Sequence, residues 1–222
     1  MKLADILKVI KKIVNEARLV FDKESLKITA MDPANVSMVI LDYKLKTNIE
    51  GSYGINLLGL CLIFKHFEKN KDPEIEIFKV PGSRPEYDIT KLKIRNGNKF
   101  FNLNTFQIEE KEPKIPDLKF KAEATFRSSN LKKIIDAAYD VSESIVIHEG
   151  GMSAKGDLLE FGCEMVMFPA KAKYSLEYLQ KMILEDEGID IKLEWSDDYP
   201  LRITYEEVGK YKLQFILAPR VE

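Results

Sequence analysis

Few side chains in this 222-residue chain are spaced for covalent or metal chemistry. The two histidines, His66 and His148, and the two cysteines, Cys61 and Cys163, stand far apart, and the chain holds no CxxC pair, no HExxH, no GxSxG and no glycine loop for a phosphate. Asp32 and Asp157 end equivalent strands of an internal repeat, which explains them structurally before any acid–base role does. The expectation is therefore no catalytic residue, no metal and no cofactor. Charge segregation is what remains: Lys8, Lys11 and Lys12 gather on one side of the first amphipathic segment. With a net charge of −2, any contact with nucleic acid must come from such a local basic face; a merely solvated face is the ordinary alternative. A second notable stretch is "MDPANVSMVILDY", residues 31–43, in which Asp32-Pro33-Ala34-Asn35 has the chemistry of a tight turn feeding a strand apolar on both faces for most of its length.

The elements that must position these residues repeat. In "MKLADILKVIKKIVNEA", Leu3, Ile6, Leu7, Ile10, Ile13, Val14 and Ala17 share one arc of a 3.6-residue helix, with Lys8, Lys11, Lys12 and Asn15 opposite. "RLVFD" and "SLKITAMD" follow as a hairpin around "DKES". From residue 130 the plan recurs: Leu131, Ile134, Ile135, Ala138 and Val141 make a helical stripe, and "SIVIHE" and "GMSAKGD" form a hairpin around Gly150-Gly151. "INLLGLCLIFKHF" with "EIEIFKV" answers to "YSLEYLQKMILED" with "IDIKLEW", and each half then adds a hairpin, the first around Asn96-Gly97. Four helix-plus-strands units in two similar halves predict an α+β, two-domain chain. "IEEKEPKIPDL" has linker composition and predicts an extended surface connector over 107–118, with domains over 1–106 and 119–222. The second half opens on a strand, "FKAEATF"; the first starts directly on its helix and lacks that strand.

A hydrophobic content of 45% and a charged content of 32% describe a soluble globular chain. No run reaches the ~18 apolar residues of a membrane span, and Met1 leads straight into a charged segment rather than a secretory signal. Two lone cysteines fit a reducing cytoplasm.

Two similar α+β halves, a proline-containing connector and "MDPANVSMV" after the first hairpin together resemble the proliferating cell nuclear antigen family, the sliding clamps of archaea and eukaryotes. "LAPRVE" at 217–222 is close to that family's C-terminal signature, and "YSLEYLQKM" and "DYPLRITYE" match further stretches. The resemblance spans nearly the whole chain in order. It implies a clamp fold with helices on the DNA side and antiparallel sheets outside, in which three two-domain subunits form a ring around duplex DNA. Such a ring is a processivity factor for replication and repair, cytoplasmic or nucleoid-associated, with a clamp loader, a DNA polymerase, and nuclease and ligase clients as partners and no membrane. One subunit of a hetero-oligomeric or checkpoint-type clamp with other clients is the alternative; an enzyme is the rival of another class.

What the resemblance implies for residues follows. Sliding needs sequence-independent phosphate contacts from helix faces; Lys8, Lys11 and Lys12 on the first helix, Lys65 on the second, Lys132 and Lys133 on the third and Lys181 on the fourth take that role. Asp136 and Asp140 share the third helix's polar face and "LLGLCLIF" is nearly apolar all round, so the basic lining is expected to be uneven and strongest at the first helix. A pocket between the domains takes apolar and aromatic anchors of client peptides: Met31, Val36 and Met38 form one wall, Ile115 and Phe120 the connector side, and Pro200, Ile216, Leu217, Ala218 and Pro219 the floor and far edge. The tail backbone near Arg220 adds strand-like pairing. Ile216 replaces the family's larger aromatic, which reshapes the pocket. Subunits meet through the strand carrying Phe100, Phe101 and Leu103 and the strand carrying Phe161, Met165 and Met167. A strand expected before Tyr174 is not evident, which predicts either a weaker ring or one that forms only with non-identical subunits.

Overall fold

Strands run wherever β-branched and aromatic residues alternate with polar ones, and helices wherever the apolar period lengthens to 3.6. The computed structural model describes residues 1–67, 73–81, 89–108, 111–165, 169–184, 186 and 188–220. In the first half these form α1 (Leu3–Lys11), β1 (Glu16–Asp22), β2 (Ser25–Met31), β3 (Ser37–Lys44), β4 (Gly51–Asn56), α2 (Leu57–Lys65), β5 (Glu74–Val80), β6 (Ile89–Asn96) and β7 (Lys99–Asn104). The second half adds β8 (Ala122–Arg127), α3 (Ser128–Tyr139), β9 (Ser144–His148), β10 (Gly151–Lys155), β11 (Glu160–Glu164), β12 (Ala172–Ser175), α4 (Leu176–Met182), β13 (Asp190–Trp195), β14 (Leu201–Glu207) and β15 (Tyr211–Leu217).

The chain divides into two compact units. The first comprises residues 1–30, 40–113 and 207–212. It contains the strand order β4-β1-β2-β3, a three-stranded sheet β5-β6-β7, and α1 packed on α2. Leu3, Ile6, Leu7 and Ile10 of α1 are buried with Leu19, Ile28, Leu41 and Ile55 of the sheet. The helix is shorter than its apolar stripe: Ile13 and Val14 are buried from a turn after α1, and Ala17 from β1. The amide of Ile13 already bonds the Ile10 carbonyl, a tightened final turn that lets the strand begin at Glu16 while the buried surface continues.

The second unit comprises residues 31–39, 114–206 and 213–222. It contains the order β15-β14-β13-β8, a four-stranded sheet β11-β10-β9-β12, and α3 packed on α4. Trp195, Tyr174, Tyr205 and Phe215 are among its largest wholly buried side chains; Trp195 donates Nε1–H to the Ala170 carbonyl at 3.1 Å and Tyr205 its hydroxyl to the Met182 carbonyl at 3.0 Å, so the polar ends of these rings keep partners in the core. Gly151 carries φ +133°, and a Cβ there would lie 2.0 Å from the Cys163 carbonyl oxygen, so this glycine permits the β10–β11 pairing.

The strand expected to be missing before Tyr174 is present as β12, paired antiparallel with β9 from Ala172↔Ile147 to Ser175↔Ser144. Only four residues long and opened by Ala172, it offers too little alternation to read in sequence. β8 pairs with β13 ahead of α3, whereas no described strand precedes α1. Residues 111–119 form neither helix nor strand and are mostly exposed.

Candidate functional site

The turn of residues 32–36 is built around one carboxylate. Asp32 is only 4% exposed, and its side chain accepts hydrogen bonds from the amides of Ala34 (3.1 Å), Val36 (2.8 Å) and Ser37 (2.6 Å). Asn35 takes the left-handed conformation at φ +57°, one of the few residue types that does so readily. The Tyr178 hydroxyl on α4 donates to the other side of the carboxylate at 2.7 Å. Burial alone would raise the Asp32 pKa, but the Ser37 amide, the Tyr178 hydroxyl and the Ala34 and Val36 amides together hold it below the usual carboxylate range. Burial and the bond to Asp32 push the Tyr178 phenol up to about 12.

That turn presents a small apolar surface. Met31 is 38% exposed and Val36 half-buried, and the Val36 carbonyl accepts the Ala218 amide at 2.9 Å, which draws the C-terminal tail alongside. Ala218, Pro219 and Pro200 are half-buried, and Ile115 stands out at 56% exposure. Phe120 lies edge-on to Tyr199 with centroids 6.0 Å apart, and the Arg202 guanidinium sits 4.6 Å from its ring centre. Glu194 holds Arg202 in turn, accepting from Nε at 2.6 Å and from Nη2 at 2.8 Å.

Three residues expected to line the pocket lie in the core instead: Met38 of the wall is 3% exposed, and Ile216 and Leu217 of the floor and far edge are 8% and 0% exposed. Consecutive residues are buried at these strand ends, Ser37 to Val39 on β3 and Phe215 to Leu217 on β15, so both faces of each strand are covered there and alternation does not bring these side chains to the surface. The Arg220 amide, expected to be open for strand pairing, donates to the Lys173 carbonyl at 2.8 Å, and the Arg220 side chain reaches Glu143 at 3.3–3.5 Å. Neither Tyr178 nor Arg202 was singled out from the sequence; each acts through a partner remote along the chain, 146 positions away for Asp32 and Tyr178.

The basic residues fall into two groups. On the first unit, Lys11, Lys12 and Lys65 have no ion-pair partner among the described residues, and Lys8 pairs only with exposed Asp5 at 2.9 Å. Burial pushes the Cys61 thiol up, and the charges of Lys11, Lys8 and Lys65 oppose that rise, so three ammonium groups gather around the α1–α2 seam. On the second unit, Lys132 is paired with Asp136, which also accepts from Gln180 at 3.0 Å, and Lys181 with Glu177 at 2.6 Å, while Lys133 is exposed and unpaired among the described residues.

The strands expected at a subunit contact are both sheet edges: β7 closes one end of β5-β6-β7 and β11 one end of β11-β10-β9-β12. Of their side chains Phe100 is 52% exposed, flanked by Lys93 and Arg95 at 5.4 and 5.6 Å from its ring centre. Phe101 packs inward against His66 and Phe67, and Leu103 faces Gly59 of α2, because successive strand residues alternate faces. Phe161 and Met165 are half-buried; Met167 lies outside the described residues.

A chain built twice from helices laid on antiparallel sheet, with an apolar surface beside its C-terminal tail and lysines on its helices, has the features of a clamp-type α+β protein. No family model matches it. It is similar to the DNA polymerase sliding clamps of Methanothrix thermoacetophila, 28% identical over 240 positions covering 99% of this chain and 95% of that protein, and of Nanoarchaeum equitans, 29% identical over 239 positions covering 98% and 95%. Among solved structures it superimposes on the PCNA of A. fulgidus bound to the C-terminal region of FEN-1, with TM-score 0.82, 27% identity and coverage of 99% of this chain and 95% of that one. The fold is shared as well with the PCNA of Thermococcus kodakaraensis, with TM-score 0.79, 20% identity and coverage of 98% and 95%. Along nearly its whole length the chain is thus similar in sequence to archaeal DNA polymerase sliding clamps and in fold to PCNA.

Proposed function

We propose that this chain is a DNA polymerase sliding clamp, three copies of which close around duplex DNA and tether replication and repair enzymes through the apolar surface beside the tail. The observation that carries the reading is agreement in sequence and in fold with archaeal clamps along practically the whole chain. The cluster of Lys8, Lys11, Lys12 and Lys65, largely uncommitted to protein carboxylates, supports the DNA side: ammonium groups free of internal partners are available to phosphates, and contacts to phosphate alone leave the ring able to slide. Met31, Val36, Ile115, Phe120, Pro200, Ala218 and Pro219 support the client side as the exposed or half-buried members of the pocket. The clamp acts by tethering, catalyses no reaction of its own, and works in the cytoplasm beside the nucleoid.

Replacing Lys8, Lys11 and Lys12 together by Glu tests the DNA role. The triple variant is expected to fold normally and to lose polymerase processivity on primed circular DNA, with the deficit relative to the parent largest at low salt and shrinking as salt rises, because fewer phosphate contacts give a shallower salt dependence. Full processivity from a folded triple variant would remove these lysines from the DNA face.

A further inference from the structure

The wall formed by Met31 and Val36 stands on a turn that is only locally braced. The three amides bonded to Asp32 all belong to the five residues that follow it, so they shape the turn without anchoring it to the rest of the unit. Among the described residues two bonds reach from this turn to remote segments: Ala218 amide to Val36 carbonyl, and Tyr178 hydroxyl to Asp32. The first depends on the tail, itself part of the pocket. The second ties the turn to α4, a packed helix.

The internal repeat isolates this bond. Aligning α2 with α4 from their first helical residues puts Gly59 where α4 has Tyr178, so the equivalent helix has no hydroxyl to offer. Asp157, at the place in the repeat that corresponds to Asp32, is exposed and makes no hydrogen bond among the described residues. Among the described residues, only the one of the two related turns that bears the pocket wall is fastened to a remote segment, and it is fastened through a buried carboxylate with four donors around it.

From this we infer that Tyr178 is a positioning residue for client recognition: its hydroxyl latches Asp32 to α4 and so preorganises the Met31–Val36 wall that a client's apolar anchors meet. The inference rests on the pocket reading given above. A preformed wall spares a client peptide the cost of ordering it, so losing the latch weakens binding without touching any anchor contact.

Tyr178→Phe keeps the ring and removes the bond. Titrated calorimetrically with a synthetic peptide of the C-terminal region of FEN-1, the variant is expected to bind roughly tenfold more weakly than the parent, the scale of one hydrogen bond to a charged group. Hydrogen exchange at the Val36 and Ser37 amides should quicken in parallel, a readout that mere loss of global stability would not confine to those two sites. Asp32→Asn, which keeps one acceptor oxygen and so cannot serve both the Val36 and Ser37 amides and the Ala34 amide and Tyr178 hydroxyl as the two carboxylate oxygens do, is the second variant, for use if Tyr178→Phe does not fold; it is expected to weaken the peptide several-fold. Ile115→Asp separates this inference from the pocket reading. If Ile115→Asp abolishes binding while the latch variants bind like the parent, the latch is overturned and the pocket stands; if Ile115→Asp binds normally, the pocket reading falls and the latch with it.

Discussion

At the scale of single residues the second unit depends on charged groups taken partly out of water and then fully bonded. Glu194 is 9% exposed and accepts two hydrogen bonds from Arg202, with Lys192 at 3.3 Å as a further cation. The bonds from Arg202 hold its carboxyl below the usual glutamate range against the opposing effect of burial. Because the folded pKa is depressed, the stability it contributes is present above the ordinary glutamate value of about 4.5 and is lost as pH falls through the folded value. Glu194→Gln removes the charge and leaves Arg202 over Phe120 without its counter-ion. Arg202 is partly exposed, so the expected loss is about 1–2 kcal/mol at neutral pH, less than for a fully buried pair, and it should shrink toward zero as acid protonates Glu194 in the parent. Urea unfolding of both proteins at pH 7 and at pH 3.5 checks it; a difference that does not depend on pH would assign the loss to packing.

At the scale of elements, four helices with one ancestry of pattern carry unequal surfaces. α4 pairs Glu177 with Lys181, and in the same positions α2 exposes Leu58 at 48% and Leu62 at 46%. α3 pairs Lys132 with Asp136. The paired ammonium groups of the second unit are thus spent on their own helices, whereas in the first unit only Lys8 is so paired, with exposed Asp5, and Lys11, Lys12 and Lys65 have no ion-pair partner among the described residues. Neutralising the acids should therefore strengthen DNA binding without adding any base. The double variant Asp136→Asn, Glu177→Gln is expected to hold DNA more tightly and to steepen the dependence of log K on log salt by roughly one for each lysine released to a phosphate. Fluorescence anisotropy over a salt series measures the slope; an unchanged slope would mean that Lys132 and Lys181 make no phosphate contact.

At the scale of the molecule, two sheets end on strands with one described neighbour each, β7 and β11, and beside β11 the β10–β11 turn exposes Leu158 at 94% and Leu159 at 62%. Unpaired edges with apolar side chains invite pairing with another chain, and two different edges on one subunit make a head-to-tail contact that closes into a ring when the rotation allows. Light scattering across a dilution series is expected to give a mass of three chains, and Phe100→Asp, which places a charge on β7 where Phe100 is 52% exposed, should give a single chain at concentrations where the parent remains three. A parent that stays single at all concentrations would point to a ring that needs non-identical subunits.

The sequence by itself determined the repeat, the class and the element types apart from the short strand β12. Periods of 3.6 and 2 are local properties, so Leu3, Ile6, Leu7 and Ile10 declared a helix and "KLKIRNGNKFF" a hairpin without reference to anything distant. The lysines of α1 were legible for the same reason, since the face opposite a buried stripe follows from the stripe. Tertiary structure alone decided which apolar residues of the pocket region meet solvent: β3 is apolar on both faces, so its pattern gives Val36 and Met38 equal standing, and only packing left Val36 half-buried and buried Met38. It decided too that Tyr178 serves the turn of Asp32, that Arg202 holds Phe120, and that the Arg220 amide is already bonded to Lys173. Each of these depends on atoms brought together from distant parts of the chain, where periodicity carries no information and geometry carries all of it.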